Sequence, residues 1–168
     1  MSLSMYQASV PVFLRQLTNL KAVLEKGAAD AEARKIDPSV FINARLAPDM
    51  HALPRQVQIM TDTAKGAGAR LAGVDVPSYE DTETSFPELQ ARLDKTIDFL
   101  KSLKPEQIDG SEERSITLKM RSGDITFTGQ NYLLHFALPN FFFHYTTAYA
   151  ILRHNGVAVG KMDYLGGV

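Results

Sequence analysis

Hydrophobic positions recur along most of this chain in three- and four-residue steps, and those stretches mark out the helices. Tyr6, Val10, Phe13, Leu17, Leu20 and Leu24 alternate steps of four and three, which gathers them on one stripe of a helix from about Ser4 to about Arg34. Ser4 with Gln7 fits a capping box at its start, and Pro11 inside the pattern predicts a kink or a later beginning. Asp37-Pro38 reads as the cap and first position of a short helix through Ala44. A second long helix begins near Asp49 to Leu53. Its inward stripe is Leu53, Val57, Met60, Ala64, Ala67 and Leu71, and Gly73 is its left-handed stop. Val74 to Thr84 is polar and turn-rich, a surface loop. Ser85 with Glu88 forms a second capping box, with Pro87 in the first turn, and opens a third helix that buries Leu89, Leu93, Ile97 and Leu100 and ends around Leu103.

The period then changes. Ile116, Leu118 and Met120 alternate with polar residues, Arg121-Ser122-Gly123-Asp124 turns, and Ile125 and Phe127 alternate again, which predicts a small β-hairpin. A lone hairpin is marginal in water, so this one must lean on the helices. A fourth long helix covers roughly Gly129 to Asn155 and closes at Gly156. Four long helices and one hairpin, with no solenoid-length repeat and no low-complexity linker, predict a single helical-bundle domain over residues 1–168.

Charge and composition narrow the function classes. Eighteen basic residues against nineteen acidic ones leave a formal net charge of −1, without the basic excess of a dedicated nucleic-acid binder. With no cysteine, disulfides, thiolate zinc sites, iron–sulfur clusters and cysteine nucleophiles are excluded. Met1-Ser2-Leu3-Ser4 carries neither a basic region nor a long apolar run, so no signal peptide is expected and the expected location is the cytoplasm. The most apolar stretch, Tyr132 to Ala150, is interrupted by His135, Pro139, Asn140 and His144, which favours a core helix over a membrane span.

The candidate chemistry sits in that stretch. Leu133, Ala137, Asn140, His144, Ala148 and Ile151 share one helical stripe, which stacks Asn140 and His144 one turn apart on the inward side. A buried amide or imidazole without a partner costs about 1–3 kcal/mol, so both require partners: other side chains such as Tyr145, Tyr149 or residues of the second helix, a water, or a metal ion. Pro139, just before them, either opens a cavity or only bends the helix around its neighbours. His51 lies near the start of the second helix, where it points into the bundle mouth or caps exposed amides. His135 is about 13 Å along the axis from His144, too far to share an ion. His154 suits the negative end of the helix dipole. Lys65-Gly66-Ala67-Gly68 matches no phosphate-binding loop, and those glycines read as sites of close helix contact; no nucleophile elbow occurs. The acidic run Glu80, Asp81 and Glu83 reads as a solvated loop.

Several segments together carry a family resemblance: Asn43-Ala44-Arg45-Leu46-Ala47-Pro48-Asp49-Met50, Arg55-Gln56-Val57-Gln58-Ile59, Phe127-Thr128-Gly129-Gln130, and the long string from Phe136 through His144 continued by Ala148 to Gly156. They resemble the domain-of-unknown-function family numbered 1993, a branch of the DinB/YfiT-like superfamily, over essentially the whole chain. The resemblance implies an up-down-down-up four-helix bundle with the small hairpin before the last helix, often assembled as a homodimer. Relatives in the superfamily hold a divalent metal on three histidines, one on the second helix and a pair on the last. Carried over, His144 matches the final histidine, Asn140 stands where its pair would be, and Gln56 or Gln58 stands near the second-helix position, with His51 well before it. One imidazole and two amides bind a transition metal weakly beside three imidazoles.

Two readings follow. In the first, the protein is a small-ligand-binding or non-catalytic dimer whose degenerate metal pocket keeps Asn140, His144, Gln56 and Gln58 as hydrogen-bonding groups for an unidentified small molecule. In the second, it is an enzyme of the thiol-transferase or hydrolase type that uses a divalent zinc, nickel or manganese ion held by His144 with His51 or a second-helix glutamine. Neither reading involves nucleic acid or a membrane.

Overall fold

The structure is a computed structural model that describes residues 3–120 and 123–167. The chain is mainly helical. Four long helices, α1 (Val10–Arg34), α3 (Leu53–Ala72), α4 (Phe86–Ser102) and α7 (Leu138–His154), are joined by short ones: α2 (Pro38–Ile42), α5 (Pro105–Ile108), α6 (Gly129–Tyr132) and α8 (Lys161–Leu165). One antiparallel hairpin, β1 (Ser115–Met120) with β2 (Gly123–Thr128), precedes α6 in a register that sets Ser115 opposite Thr128 and Met120 opposite Gly123. The first two residues of the expected hairpin turn, Arg121 and Ser122, lie outside the described residues. None of the described helices is long and apolar enough to cross a membrane.

Side-chain chemistry explains most boundaries. The Ser4–Gln7 box forms, with each side chain accepting from the other's backbone amide at 3.2 Å, but it caps a separate turn. Helix α1 starts only at Val10, because Pro11 fits the first turn of a helix and not its interior. Asp37 caps α2 by accepting from the Ser39 amide at 2.9 Å, a bond that holds its carboxyl below the usual carboxylate range. Gly73 ends α3 in the left-handed conformation, with φ 69°. Ser85 accepts from the Glu88 amide, and Glu88 reaches back to the Thr84 amide at 2.7 Å. Helices α5 and α8 were not visible in the periodicity. Each is a single turn, too short for a stripe to register.

The predicted stripes make one core. Val10, Phe13, Leu17, Leu20 and Leu24 of α1 are buried, as are Leu53, Val57, Met60, Ala64, Ala67 and Leu71 of α3 and Leu89, Leu93, Ile97 and Leu100 of α4. They meet Leu133, Ala137, Phe141, Tyr145, Ala148 and Ile151 from the last helical segment. Contacts fix the sense of each pairing. Along α3 and α7, Gln56 meets His144, Thr63 meets Asn140 and Arg70 meets Tyr132, so the two run antiparallel. Along α3 and α4, Thr61 meets Arg92, while a side chain at Gly68 would touch Leu100 and Leu103, so these run parallel. Gly27 of α1 faces both Phe86 at the start of α4 and Leu152 near the end of α7. Phe13, at the other end of α1, packs edge-on against Phe141 at 4.8 Å.

Two expectations need correction. The single helix from Gly129 to Asn155 is three pieces: α6, a π-helical turn over Leu133–Ala137, and α7. In the π turn the Leu138 amide donates to the carbonyl of Leu133, five residues back, and Pro139, which has no N–H to donate, follows as the second residue of α7. The hairpin also buries less than its alternation implies. Ile116 and Leu118 are covered, but Met120 and Ile125 are 43% and 44% exposed, because the outer half of the ribbon projects past the helices.

Candidate functional site

The polar pair on α7 is held by α3. His144 is 9% exposed, and its Nδ1 lies 2.7 Å from Gln56 Oε1. The other end of the Gln56 amide donates from Nε2 to the backbone carbonyl of His51 at 2.9 Å. A carbonyl cannot donate, so that end must be the NH2 group and Oε1 must face the imidazole. His144 therefore carries its proton on Nδ1 and keeps the Nε2 lone pair, which makes no hydrogen bond with a described residue. Burial, with His51 and Arg55 nearby, holds its pKa at about 4 against an ordinary 6.5, so the ring is neutral at pH 7.

One turn earlier, Asn140 is half-buried and donates from Nδ2 to Thr63 Oγ1 at 2.7 Å, while the Thr63 hydroxyl donates to the Ile59 carbonyl. That leaves the Asn140 carbonyl oxygen without a donor among the described residues, in a side chain that lines a groove of about 290 Å³ between α3, α7 and the hairpin. Ile59, Leu118, Met120 and Phe136 give the groove apolar walls; Arg55, Asp62, Arg70 and the Tyr132 hydroxyl give it polar ones. The partners of the polar pair come from α3, whereas Tyr145 turns away and donates to the Tyr164 carbonyl of α8 at 2.8 Å.

The other sequence candidates do not join this pair. Gln58 is buried but faces the opposite side of α3, where it donates to Glu83 at 2.9 Å and accepts from Arg55. The ring of His51 is exposed ahead of α3; its backbone carbonyl, not its imidazole, serves the site. His135 and His154 are exposed. Among the described residues, no three His, Cys, Asp or Glu side chains lie together closely enough to hold a metal ion. The donor set at His144 is one imidazole with a glutamine already spent on orienting it, which does not fit a three-histidine centre.

A second polar assembly escaped the sequence reading. Arg92 on α4 has a side chain 1% exposed, and each of its three guanidinium nitrogens has a partner. Nε donates to Thr61 Oγ1 at 2.7 Å. Nη1 donates to the Glu80 carbonyl at 2.9 Å and to Glu83 at 3.0 Å, and Nη2 lies 2.8 Å from Asp62 and 3.1 Å from Asp81. Asp62 also pairs with Lys65, and Asp81 with Arg55. The Tyr79 ring lies beneath Lys65 and Lys95, each 4.2 Å from its centroid. The acidic run is thus a strap tied to a buried arginine and not a solvated loop. The signal was available: Arg92 lies three residues after Leu89 and four before Thr96, on the apolar stripe of α4, where an unpaired cation could not stay. A larger hollow of about 520 Å³ under this strap is lined by these groups, which already satisfy one another.

Comparison with known proteins agrees with this architecture. Residues 5–165 match the family described as "Domain of unknown function (DUF1993)". The chain is similar to the crystal structure of a DinB family member protein from Shewanella denitrificans, with 40% identity, a TM-score of 0.89, and coverage of 97% of this chain and 92% of that one. Among curated proteins there is no match. With its helices, its hairpin and nearly its whole length accounted for in this way, the chain belongs to the DUF1993 family and is DinB-like in fold.

Proposed function

We propose that this protein is a non-catalytic, small-molecule-binding member of its family, with the ligand seated in the groove beside Asn140. The observation that carries the reading is the pinned amide: Thr63 holds its NH2 group, its carbonyl oxygen accepts from no described residue, and the side chain lines a groove with apolar and polar walls. Small-ligand sites take this form, with few fixed polar atoms in a mostly apolar cleft. His144 and Gln56 lock the next turn, so Asn140 is presented from a rigid element. The topology belongs to the same reading. The antiparallel α3–α7 pair and the parallel α3–α4 pair support an up-down-down-up bundle. So does α1, which lies along α7 in the same sense, from Phe13 near Phe141 to Gly27 near Leu152.

A chemically mixed fragment library, followed by amide and side-chain NMR on the whole chain, tests the proposal. Hits are expected to move the Asn140 side-chain and Thr63 signals, and a screen whose hits all fall elsewhere would overturn it. Metal analysis of the purified protein separates the enzymatic alternative. One zinc, nickel or manganese per chain, lost in His144→Ala, would replace the ligand-binding reading with a metal-dependent one.

Homodimerisation is part of the proposal, supported by Phe143 and Leu134, which are 57% and 43% exposed on the last helical segment. Light scattering at micromolar concentration should return twice the chain mass. A monomer would remove the dimer and leave the groove untouched.

A further inference from the structure

The groove has an uncompensated cation at one end. Arg70 and Arg92 lie on neighbouring helices, and the contrast between them is informative. Every guanidinium nitrogen of Arg92 has a partner, whereas among the described residues Arg70 makes one side-chain bond, from Nη1 to the Tyr132 hydroxyl at 3.2 Å, and no carboxylate pairs with it. Of the other charges lining the groove, Arg55 is paired with Asp81 and Asp62 with Lys65 and Arg92, while Lys119 is an exposed hairpin side chain opposite Asp124 in register, with no ion pair among the described residues.

Arg70 is also placed. Its guanidinium lies 6.0 Å over the Tyr132 ring and is laid back along α3 above Gly66, where a Cβ would come within 2.4 Å of Nη1. Gly66 thus clears the space through which the fork points along the groove. Tyr132 is 1% exposed, and because its oxygen accepts from Arg70 its own proton remains available to donate. Burial raises its pKa, which keeps that proton on the hydroxyl at neutral pH. Leu118, Met120 and Phe136 supply apolar surface to the same groove, beside the already paired Asp62.

We propose that the groove takes a small carboxylate with an apolar body. Its carboxylate is bound by the Arg70 guanidinium and the Tyr132 hydroxyl, and a hydroxyl or amine at its far end donates to the Asn140 carbonyl oxygen. A planar fork with free donors matches a carboxylate edge-on, in a way that a lysine could not. The inference rests on the ligand-binding reading above and adds to it the charge and the polarity of each end.

The test is an NMR titration of the full chain with four probes: 4-(4-hydroxyphenyl)butanoate, 4-phenylbutanoate, 4-phenylbutanamide and 4-phenylbutylamine. The two acids should shift the Arg70 Nε–H and Asn140 side-chain signals. The neutral amide should bind about ten-fold more weakly, as expected for loss of a charge-assisted bond, and the amine more weakly still. Arg70→Gln should abolish the preference for acid over amide, Arg70→Lys should restore part of it, and Asn140→Ala should abolish the preference for the hydroxylated acid. Equal binding of acid and amide by the unaltered protein, with shifts at Asn140, would overturn the carboxylate assignment and leave the groove as a ligand site. If none of the four moves Asn140 while the fragment screen finds other ligands there, the proposal alone falls. If neither experiment finds a ligand there, both fall.

Discussion

At the scale of single residues, His144 stores a pH dependence. Its folded pKa is lowered to about 4, whereas in the unfolded chain it returns to the ordinary 6.5. Between those values the unfolded state takes up a proton that the folded state refuses, so stability is complete above pH 6.5 and falls as the pH drops toward 4. The full effect is about 3 kcal/mol. Urea midpoints measured from pH 7 to pH 4 should fall in the unaltered protein and lose most of that slope in His144→Asn. An unchanged slope would refute the neutral, buried imidazole. The position of this residue was legible in the sequence, because stripe periodicity placed Asn140 and His144 inward. Its partners were not legible, since Gln56 and Thr63 lie far away in sequence and are brought near only by the packing of α3 on α7. Arg92 is the harder case. Two of its acids, Asp81 and Glu83, sit in a segment with no regular structure, where periodicity carries no information.

At the scale of elements, that arginine ties three pieces together: α4, α3 through Asp62 and Thr61, and the strap after α3. Truncating it leaves three carboxylates without their buried counter-charge, so Arg92→Ala should cost about 3 kcal/mol. Protease cleavage should then appear within residues 74–84 before the rest of the chain is cut. If the strap stays resistant, the network is not what holds it down. The junction between the hairpin and α6 depends on a different contact. Gly129 passes so close to the preceding loop that a Cβ would sit 2.0 Å from the Ser111 carbonyl oxygen, and the next amide, of Gln130, donates to the Glu112 carbonyl at 2.9 Å. The obstacle is backbone, which cannot rotate aside. Gly129→Ala should therefore destabilise by about 3 kcal/mol, whereas Gly66→Ala, which meets only the movable end of Arg70, should cost little in thermal melts. Helix starts and stops were legible where caps and left-handed glycines occur, as at Ser85 and Gly73. The π turn within the fourth helix was not, because it keeps helical spacing on either side and adds only one residue between.

At the scale of the whole molecule, the long helices meet through stripes that each could be read alone, but the order in which they meet could not. That order follows from contacts between distant segments, such as Phe13 with Phe141 and the clasp in which α8 closes over α1 and α7. There Tyr164 stacks on Tyr145 at 4.1 Å, and its carbonyl accepts from Asn19 at 3.1 Å. The π turn matters at this scale because it sets the phase between the hairpin junction and the polar pair. One surplus residue is absorbed there, and Leu134 and His135 bear it outward, Leu134 being 43% exposed. Excising Leu134 should remove the surplus residue while the residues on both flanks keep their faces, so the shortened chain should fold with its groove intact, at a cost of about 3 kcal/mol for a Pro139 now inside the helix. Excising Thr146 instead would turn everything beyond it by about 100° and scramble the seam with α1. Circular dichroism melts of the two deletions should differ accordingly. The last helix would then have one place, and a known one, at which its length can change without loss of its partners.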